Sequence, residues 1–161
     1  MKVAVMSDSH DNRDNILKVV AIANQEKCDY LLHLGDMVSP FAVLALKGFL
    51  GKVIGVTGNC DGEVSGLQKA FDAIQGLVYK PPKTITIQGK RCVLMHEPVL
   101  IEELTKNNEV DYIFYGHLHK VDVRQINQTT VINPGESGGW VEKPYFIILD
   151  ILTGEHETVE L

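Results

Sequence analysis

Long apolar runs are missing from this chain. None approaches the roughly 18 residues of a membrane-spanning helix, which argues against a helical membrane protein. Cysteine is scarce: Cys28, Cys60 and Cys92 are scattered, with no CxxC pair. An odd, unclustered set argues against a disulfide framework and against a zinc finger. Basic clusters are absent too, and the formal net charge is −6, which weighs against a protein that coats nucleic acid. A phosphate-bearing substrate stays open, because the local charge of bound metal outweighs global charge inside a site. Repeats, low-complexity tracts and linkers are lacking. The apolar start, Met1 to Met6, is too short for a signal peptide and runs directly into Ser7 and Asp8, so the expected compartment is the cytoplasm.

What is present is a globular composition. The chain has 161 residues, 45% hydrophobic and 22% charged, which suits one domain over residues 1–161 with a sizeable core. Lys2 to Met6 reads as a buried strand. Asn12 to Lys27 reads as a helix, because Ile16, Val19, Val20 and Ala23 form one apolar stripe. Tyr30 to Leu34 and Val53 to Val56 are further short apolar runs. Between them Ser39-Pro40 reads as an N-cap and first helical residue, opening a helix toward Leu50. This alternation implies a parallel sheet with right-handed crossovers.

After Pro81-Pro82 the pattern changes. Thr84 to Gln88 and Arg91 to Met95 flank Gly89-Lys90 as a hairpin. A helix is expected over Pro98 to Asn107 and a buried strand over Tyr112 to Tyr115. Val121 to Ile126 with Thr129 to Ile132, and Tyr145 to Ile151 with Glu155 to Val159 around Thr153-Gly154, read as two more hairpins. Parallel units followed by hairpins suggest two packed sheets with helices outside.

Polar residues collect where the apolar strands stop: Asp8-Ser9-His10, Gly35-Asp36, Gly58-Asn59-Cys60-Asp61, His96 and Gly116-His117-Leu118-His119. Ligands of α/β sheets bind outside the carboxyl ends of strands. Asp8 with His10, and His117 with His119, are i and i+2 pairs that point the same way if the backbone is extended. Glycines 35, 58 and 116 allow tight turns and close backbone approach. Any one of these residues alone reads better as an ordinary turn or core residue. Together they gather nitrogen and oxygen donors without thiolate, which suits Mn, Fe, Co, Ni or Zn. Seven donors exceed what one tetrahedral ion needs, and can hold two ions around a shared water if one carboxylate bridges.

At these motifs the sequence resembles the calcineurin-like metallophosphoesterases, and in particular their small single-domain phosphodiesterase branch. Ser7-Asp8-Ser9-His10, Leu34-Gly35-Asp36, Gly58-Asn59-Cys60-Asp61, His96, Tyr115 to His119 and Ile132-Asn133-Pro134-Gly135 carry the likeness over essentially the whole chain. The resemblance implies an α/β fold, a four-layer αββα sandwich of two mixed sheets flanked by helices. It implies two divalent transition-metal ions, with manganese favoured. Asp8, His10, Asp36 and His119 would hold the first. Asp36 would bridge to the second, completed by Asn59, His96 and His117, and Asn59 would also contact a substrate phosphate oxygen. The chain departs from the wider family at Cys60, where a histidine usually protonates the leaving group. It departs again at Met95-His96-Glu97-Pro98, where the second histidine of a His-Gly-His is replaced by Pro98. Glu97 there is a candidate carboxylate for orienting a ligand.

The expected activity is hydrolysis of small phosphodiesters by in-line attack in an open site without a cap domain. A monoester carries more charge for the site to hold, but the resemblance favours diesters. Two rivals stand beside this reading: a metal-binding scaffold of the same fold, as in a retromer subunit, and a nuclease, for which the acidic chain offers no basic groove. No membrane partner is expected, and homo-oligomerisation is left open. Gly138-Gly139-Trp140 reads as a surface loop.

Overall fold

Side-chain alternation along the strands decides the layers. The computed structural model describes residues 1–161. In chain order the strands are β1 (Lys2–Met6), β2 (Tyr30–His33), β3 (Lys52–Val56), β4 (Leu77–Tyr79), β5 (Lys83–Ile87), β6 (Lys90–Leu94), β7 (Tyr112–Phe114), β8 (Val121–Ile126), β9 (Thr129–Pro134), β10 (Tyr145–Asp150) and β11 (His156–Glu160). The helices are α1 (Arg13–Gln25), α2 (Pro40–Leu44), α3 (Val64–Ala73) and α4 (Ile101–Thr105), with a 3-10 turn over Ala45–Gly48. One sheet runs β11-β10-β1-β2-β3-β4, the other β5-β6-β7-β9-β8. Both are mixed. β1 to β4 are parallel, and β10 closes antiparallel on β1. In the second sheet β6, β7 and β9 are parallel between two antiparallel edges.

In β1, Ala4 and Met6 face the helices, where Ile16, Val19, Leu67 and Phe71 cover them. Val3 and Val5 face the other way, with Leu32, Ile54, Ile147 and Leu149, onto Cys92, Leu94, Phe114 and Ile132 of the second sheet. On that sheet's far side Val93, Ile113 and Val131 pack with Ile101 of α4 and Val110. The four layers are therefore helices, sheet, sheet and helix, as the sequence led us to expect.

The differences are local. The chain from Val64 to Tyr79, given no element above, holds α3 and β4, and α3 buries Leu67, Ala70 and Phe71 at i, i+3 and i+4. Ser39 precedes Pro40 as expected, but its hydroxyl is given to Asp11 Oδ1 at 2.6 Å and caps nothing. The helix that follows stops at Leu44 and tightens into the 3-10 turn before reaching Leu50. The first hairpin turns at Gln88-Gly89, one residue earlier than expected, with both φ angles positive (50° and 78°), as a two-residue turn matched to strand twist requires. The helix expected over Pro98–Asn107 is only Ile101–Thr105. Thr105 turns its hydroxyl back on the Ile101 and Glu102 carbonyls, a competition that weakens helices.

Gly55 shows how tightly the helix layer seats. A Cβ there would meet Phe71 Cζ at 2.6 Å. Gly55→Ala should cost about 1–3 kcal/mol by overpacking, measured as a lower urea midpoint at unchanged m-value.

Candidate metal centre

The carboxyl ends of β1, β2 and β3 in one sheet and of β6 and β7 in the other meet at one place. Asp8 and His10 follow β1, Asp36 follows β2, Asn59 and Cys60 follow β3, His96 follows β6, and His117 and His119 follow β7. Three donor groups, each within 4.8 Å, overlap there: Asp8 with His10 and His119; His10 with Asp36 and Cys60; Asp8 with Asp36 and His96. His119 Nε2 lies 3.3 Å from His10 Nε2 and 3.4 Å from Asp8 Oδ1. Asp36 faces two rings with different oxygens: Oδ2 is 3.8 Å from His10 Nε2, and Oδ1 is 3.4 Å from His96 Nε2. Asn59 Oδ1 stands 2.9 Å from His96 Nε2 and 3.0 Å from His117 Nδ1. His117 joins the cluster through Asn59 and is absent from the three donor groups. Asp8, Asp36 and His96 form a buried floor, while Asn59, Cys60 and His117 form an exposed rim.

The convergence comes from a backbone unlike the extended one that the i, i+2 spacing suggested. Asp8 (φ 51°), His10 (41°), Asp36 (56°), His117 (67°) and His119 (56°) are all left-handed. The chain turns sharply at each strand end and is held by cross-strand bonds, with Asp8 N–H on the Gly35 carbonyl and His10 N–H on the Asp36 carbonyl, both at 3.0 Å. The glycines act as expected. A Cβ on Gly35 would lie 2.6 Å from His96 Nδ1, one on Gly58 would overlap the Asp36 carboxylate, and one on Gly116 would overlap Ser7 Oγ.

Electrostatics fit this donor set to cations. His96 Nδ1 is 2.8 Å from the Leu34 carbonyl, which can only accept, so Nδ1 carries the proton and Nε2 faces two oxygens with a lone pair. That contact needs a positive charge. Burial lowers the proton affinity of His96, but Asp36 outweighs it and raises the imidazole above its ordinary range. A divalent ion can take that proton's place. Burial pushes the Asp8 carboxyl up against the pull of His96 and His119, and Asp8 Oδ1 is buried without a hydrogen-bond partner. Burial likewise opposes the charge on Asp36, but His96 and the Cys60 N–H hold its carboxyl well below the usual carboxylate range. The Cys60 thiol is pushed up to about 11 by burial and by Asp36.

Two buried carboxylates support the site: Asp61, part of the strand-end motif above but given no role there, and Glu136, which sequence reading missed. Asp61 accepts from the N–H groups of Gly58 (2.7 Å), Val38 (2.7 Å) and Asp36 (3.0 Å), and so pins the turns after β2 and β3. Glu136, fully buried, sets Oε2 3.3 Å from His119 Nδ1. Its carboxyl is held low: burial opposes the charge, and the N–H groups of Glu142, Trp140 and Val141 outweigh it. Glu97, considered above for such a role, is exposed and makes no hydrogen bond to a ligand candidate. A signal existed in the Asn133-Pro134-Gly135 turn just before Glu136. Asn133 donates to the Gly116 carbonyl at 2.9 Å and accepts the Gly135 N–H, tying that turn to the histidine loop. Beside Asn59 and His96 opens a cavity of about 330 Å³, lined also by Lys80, Pro82, Glu97 and Val99.

A family model described as the calcineurin-like phosphoesterase superfamily domain matches residues 1–154. Phosphodiesterase MJ0936 of Methanocaldococcus jannaschii is 30% identical over 165 residues, covering 100% of this chain and 99% of the relative. A solved structure of an archaeal phosphodiesterase superposes with a TM-score of 0.94 at 30% identity, over 100% of both chains. Vps29 of Entamoeba histolytica, solved in complex with Zn²⁺, shares the fold at a TM-score of 0.70 and 18% identity, over 100% of this chain and 98% of that one.

Beneath the site His33 is fully buried and accepts from or donates to Ser9 Oγ at 2.9 Å, while its Nδ1 has no partner. Burial lowers its pKa to about 3. Above pH ~6.5 both folded and unfolded chains hold it neutral. Below that, the unfolded chain takes a proton that the fold refuses, so this group's stabilisation is lost as pH falls from about 6.5 toward 3, at up to about 1.4 kcal/mol per pH unit. His33→Gln removes that titration. In urea unfolding of metal-free protein, the stability gap between native and variant should shrink as pH drops through this window; a constant gap would contradict the assignment.

Proposed function

Because the chain belongs to the calcineurin-like phosphoesterase superfamily, we propose that it is a metal-dependent hydrolase of small phosphodiesters. One observation carries the reading: the two oxygens of Asp36 face different histidines, His10 on one side and His96 on the other. A carboxylate so placed suits a bridge between two ions. Asp8, His10 and His119 would complete one coordination set, and Asn59, His96 and His117 the other. Divalent ions held there would polarise a phosphoryl oxygen and activate water for in-line attack.

The protein's own residues do the rest. Asn59 turns Oδ1 inward and gives one N–H to Cys60 Sγ at 3.3 Å, leaving the other for a phosphoryl oxygen. The adjoining cavity of about 330 Å³ has room for the second ester group of a diester, which a monoester would not use. The relative named a phosphodiesterase supports the same choice. The full donor set favours an enzyme over a scaffold; the likeness to Zn²⁺-bound Vps29 bears on the fold. Manganese, a cytoplasmic setting and one domain over residues 1–161 belong to this proposal. No helix is long and apolar enough to cross a membrane.

With Mn²⁺, the protein should hydrolyse bis-p-nitrophenyl phosphate faster than p-nitrophenyl phosphate, and Asp36→Ala should lose most bound metal by elemental analysis. A monoester preference would sink the diester assignment; full occupancy in the variant would sink the bridge.

By the family resemblance Cys60 would take the place of a histidine that protonates the leaving group, and a thiol is a poorer proton donor than an imidazolium. A general acid typically contributes about 10²–10⁴-fold. The native rate should therefore fall steeply as leaving-group basicity rises, and Cys60→His should flatten that slope, gaining most on alkyl esters. A shallow native slope would mean that another group already supplies the proton.

A further inference from the structure

His119 is the proposed ligand with a carboxylate on each side of its ring. Asp8 Oδ1 stands 3.4 Å from Nε2, and Glu136 Oε2 stands 3.3 Å from Nδ1. The contact with Glu136 falls short of hydrogen-bond geometry, and the buried Nδ1 has no hydrogen-bond partner. Glu136 cannot easily swing away. Its carboxylate accepts from Trp140 N–H at 2.9 Å, Val141 N–H at 2.6 Å and Glu142 N–H. The backbone beside it is strapped to the segment after β1 and to α1: Ser137 N–H donates to the Ser7 carbonyl (2.9 Å), Gly138 N–H to the Asp8 carbonyl (3.0 Å), and Asn15 Nδ2 of α1 to the Ser137 carbonyl (2.9 Å). A buried, fixed carboxylate thus stands behind one ring nitrogen, while the other points at the donor cluster.

We propose that Glu136 is a positioning residue for His119: it keeps the proton on Nδ1 and so presents the Nε2 lone pair to the metal. This rests on the metal reading above. An anionic acceptor behind a ligating imidazole fixes the tautomer and ring orientation and raises ligand basicity. Glutamine is nearly isosteric, and its oxygen still accepts from Val141 and Glu142. Its amide N–H₂ would then face His119, favouring a proton on Nε2, where it blocks coordination.

The test is Mn²⁺ titration by calorimetry of the native chain, Glu136→Gln and Val141→Ala, with urea unfolding of each metal-free protein. Glu136→Gln should bind Mn²⁺ about 10–100-fold more weakly. Val141→Ala, which alters only an exposed side chain of the same loop, should bind near the native level. A second readout needs no variant: in Zn²⁺-loaded protein labelled with ¹⁵N-histidine, the His119 ring should carry its proton on Nδ1. Native-like Mn²⁺ affinity in Glu136→Gln, or an aprotic Nδ1 in the native Zn²⁺ form, overturns the positioning role and leaves the metal reading standing. A native chain that binds no Mn²⁺ overturns both. If Glu136→Gln fails to fold, the native ring signature decides.

Discussion

Four carboxylates, on Asp8, Asp36, Asp61 and Glu136, are buried at one end of two sheets, and their mutual repulsion is the constraint that the surrounding structure answers. Asp61 and Glu136 each take three backbone N–H groups. Asp36 takes the Cys60 N–H and faces two imidazoles. Asp8 takes the His117 N–H on one oxygen and leaves the other unpartnered. Backbone donors can be aimed this way only where the chain turns sharply, so the left-handed residues and the glycines at the strand ends belong to the same solution. Such backbone positions cost of order 1–3 kcal/mol each, and three apolar layers offset them.

The sheets do more than supply stability. Parallel strands bring like ends together, so β1, β2 and β3 deliver their polar tails to one edge, and β6 and β7 deliver theirs to the matching edge of the other sheet. The apolar filling between the sheets ends where Leu34 and Val56 give way to Asp36 and Asn59. Cross-sheet bonds take over there, with His96 on the Leu34 carbonyl and His117 N–H on Asp8. The floor of the site is rigid because it continues two packed layers, whereas its rim is open to solvent.

The layers were legible because burial leaves its mark on strands and helices. The unbroken apolar run Val3 to Met6 marks a strand buried on both faces, and the stripe Ile16, Val19, Val20 and Ala23 marks the covered face of α1; which residues of β1 face which layer came only from the structure. The ligand candidates were legible because chemistry gathers at strand ends. Their backbone was not: left-handed Asp and His residues look like any other Asp and His in sequence, and the i, i+2 pairs do converge, but through turns and not through extended backbone. Glu136 was hidden because its role depends on contacts with Trp140, Val141, Glu142 and His119, none of which is fixed by local pattern. β4 is three residues long and only partly buried, too short for periodicity to mark. Gln88-Gly89 against Gly89-Lys90 shows the limit of turn chemistry, since a glycine suits either slot.

One detail of strand order bears on how the protein is made. β1 is the third strand from one edge of its sheet, and its neighbour on that side is β10, paired from Lys2↔Asp150 to Val5↔Ile147. Every ligand candidate, from Asp8 to His119, leaves the ribosome before residue 145 does. Throughout that interval one hydrogen-bonding flank of Val3–Met6 has no partner, and an open apolar edge of this kind invites pairing with foreign strands. A nascent chain long enough to hold every donor is still unsealed beside the strand that leads into Asp8. β1, made before every ligand candidate, keeps one flank open until β10 arrives.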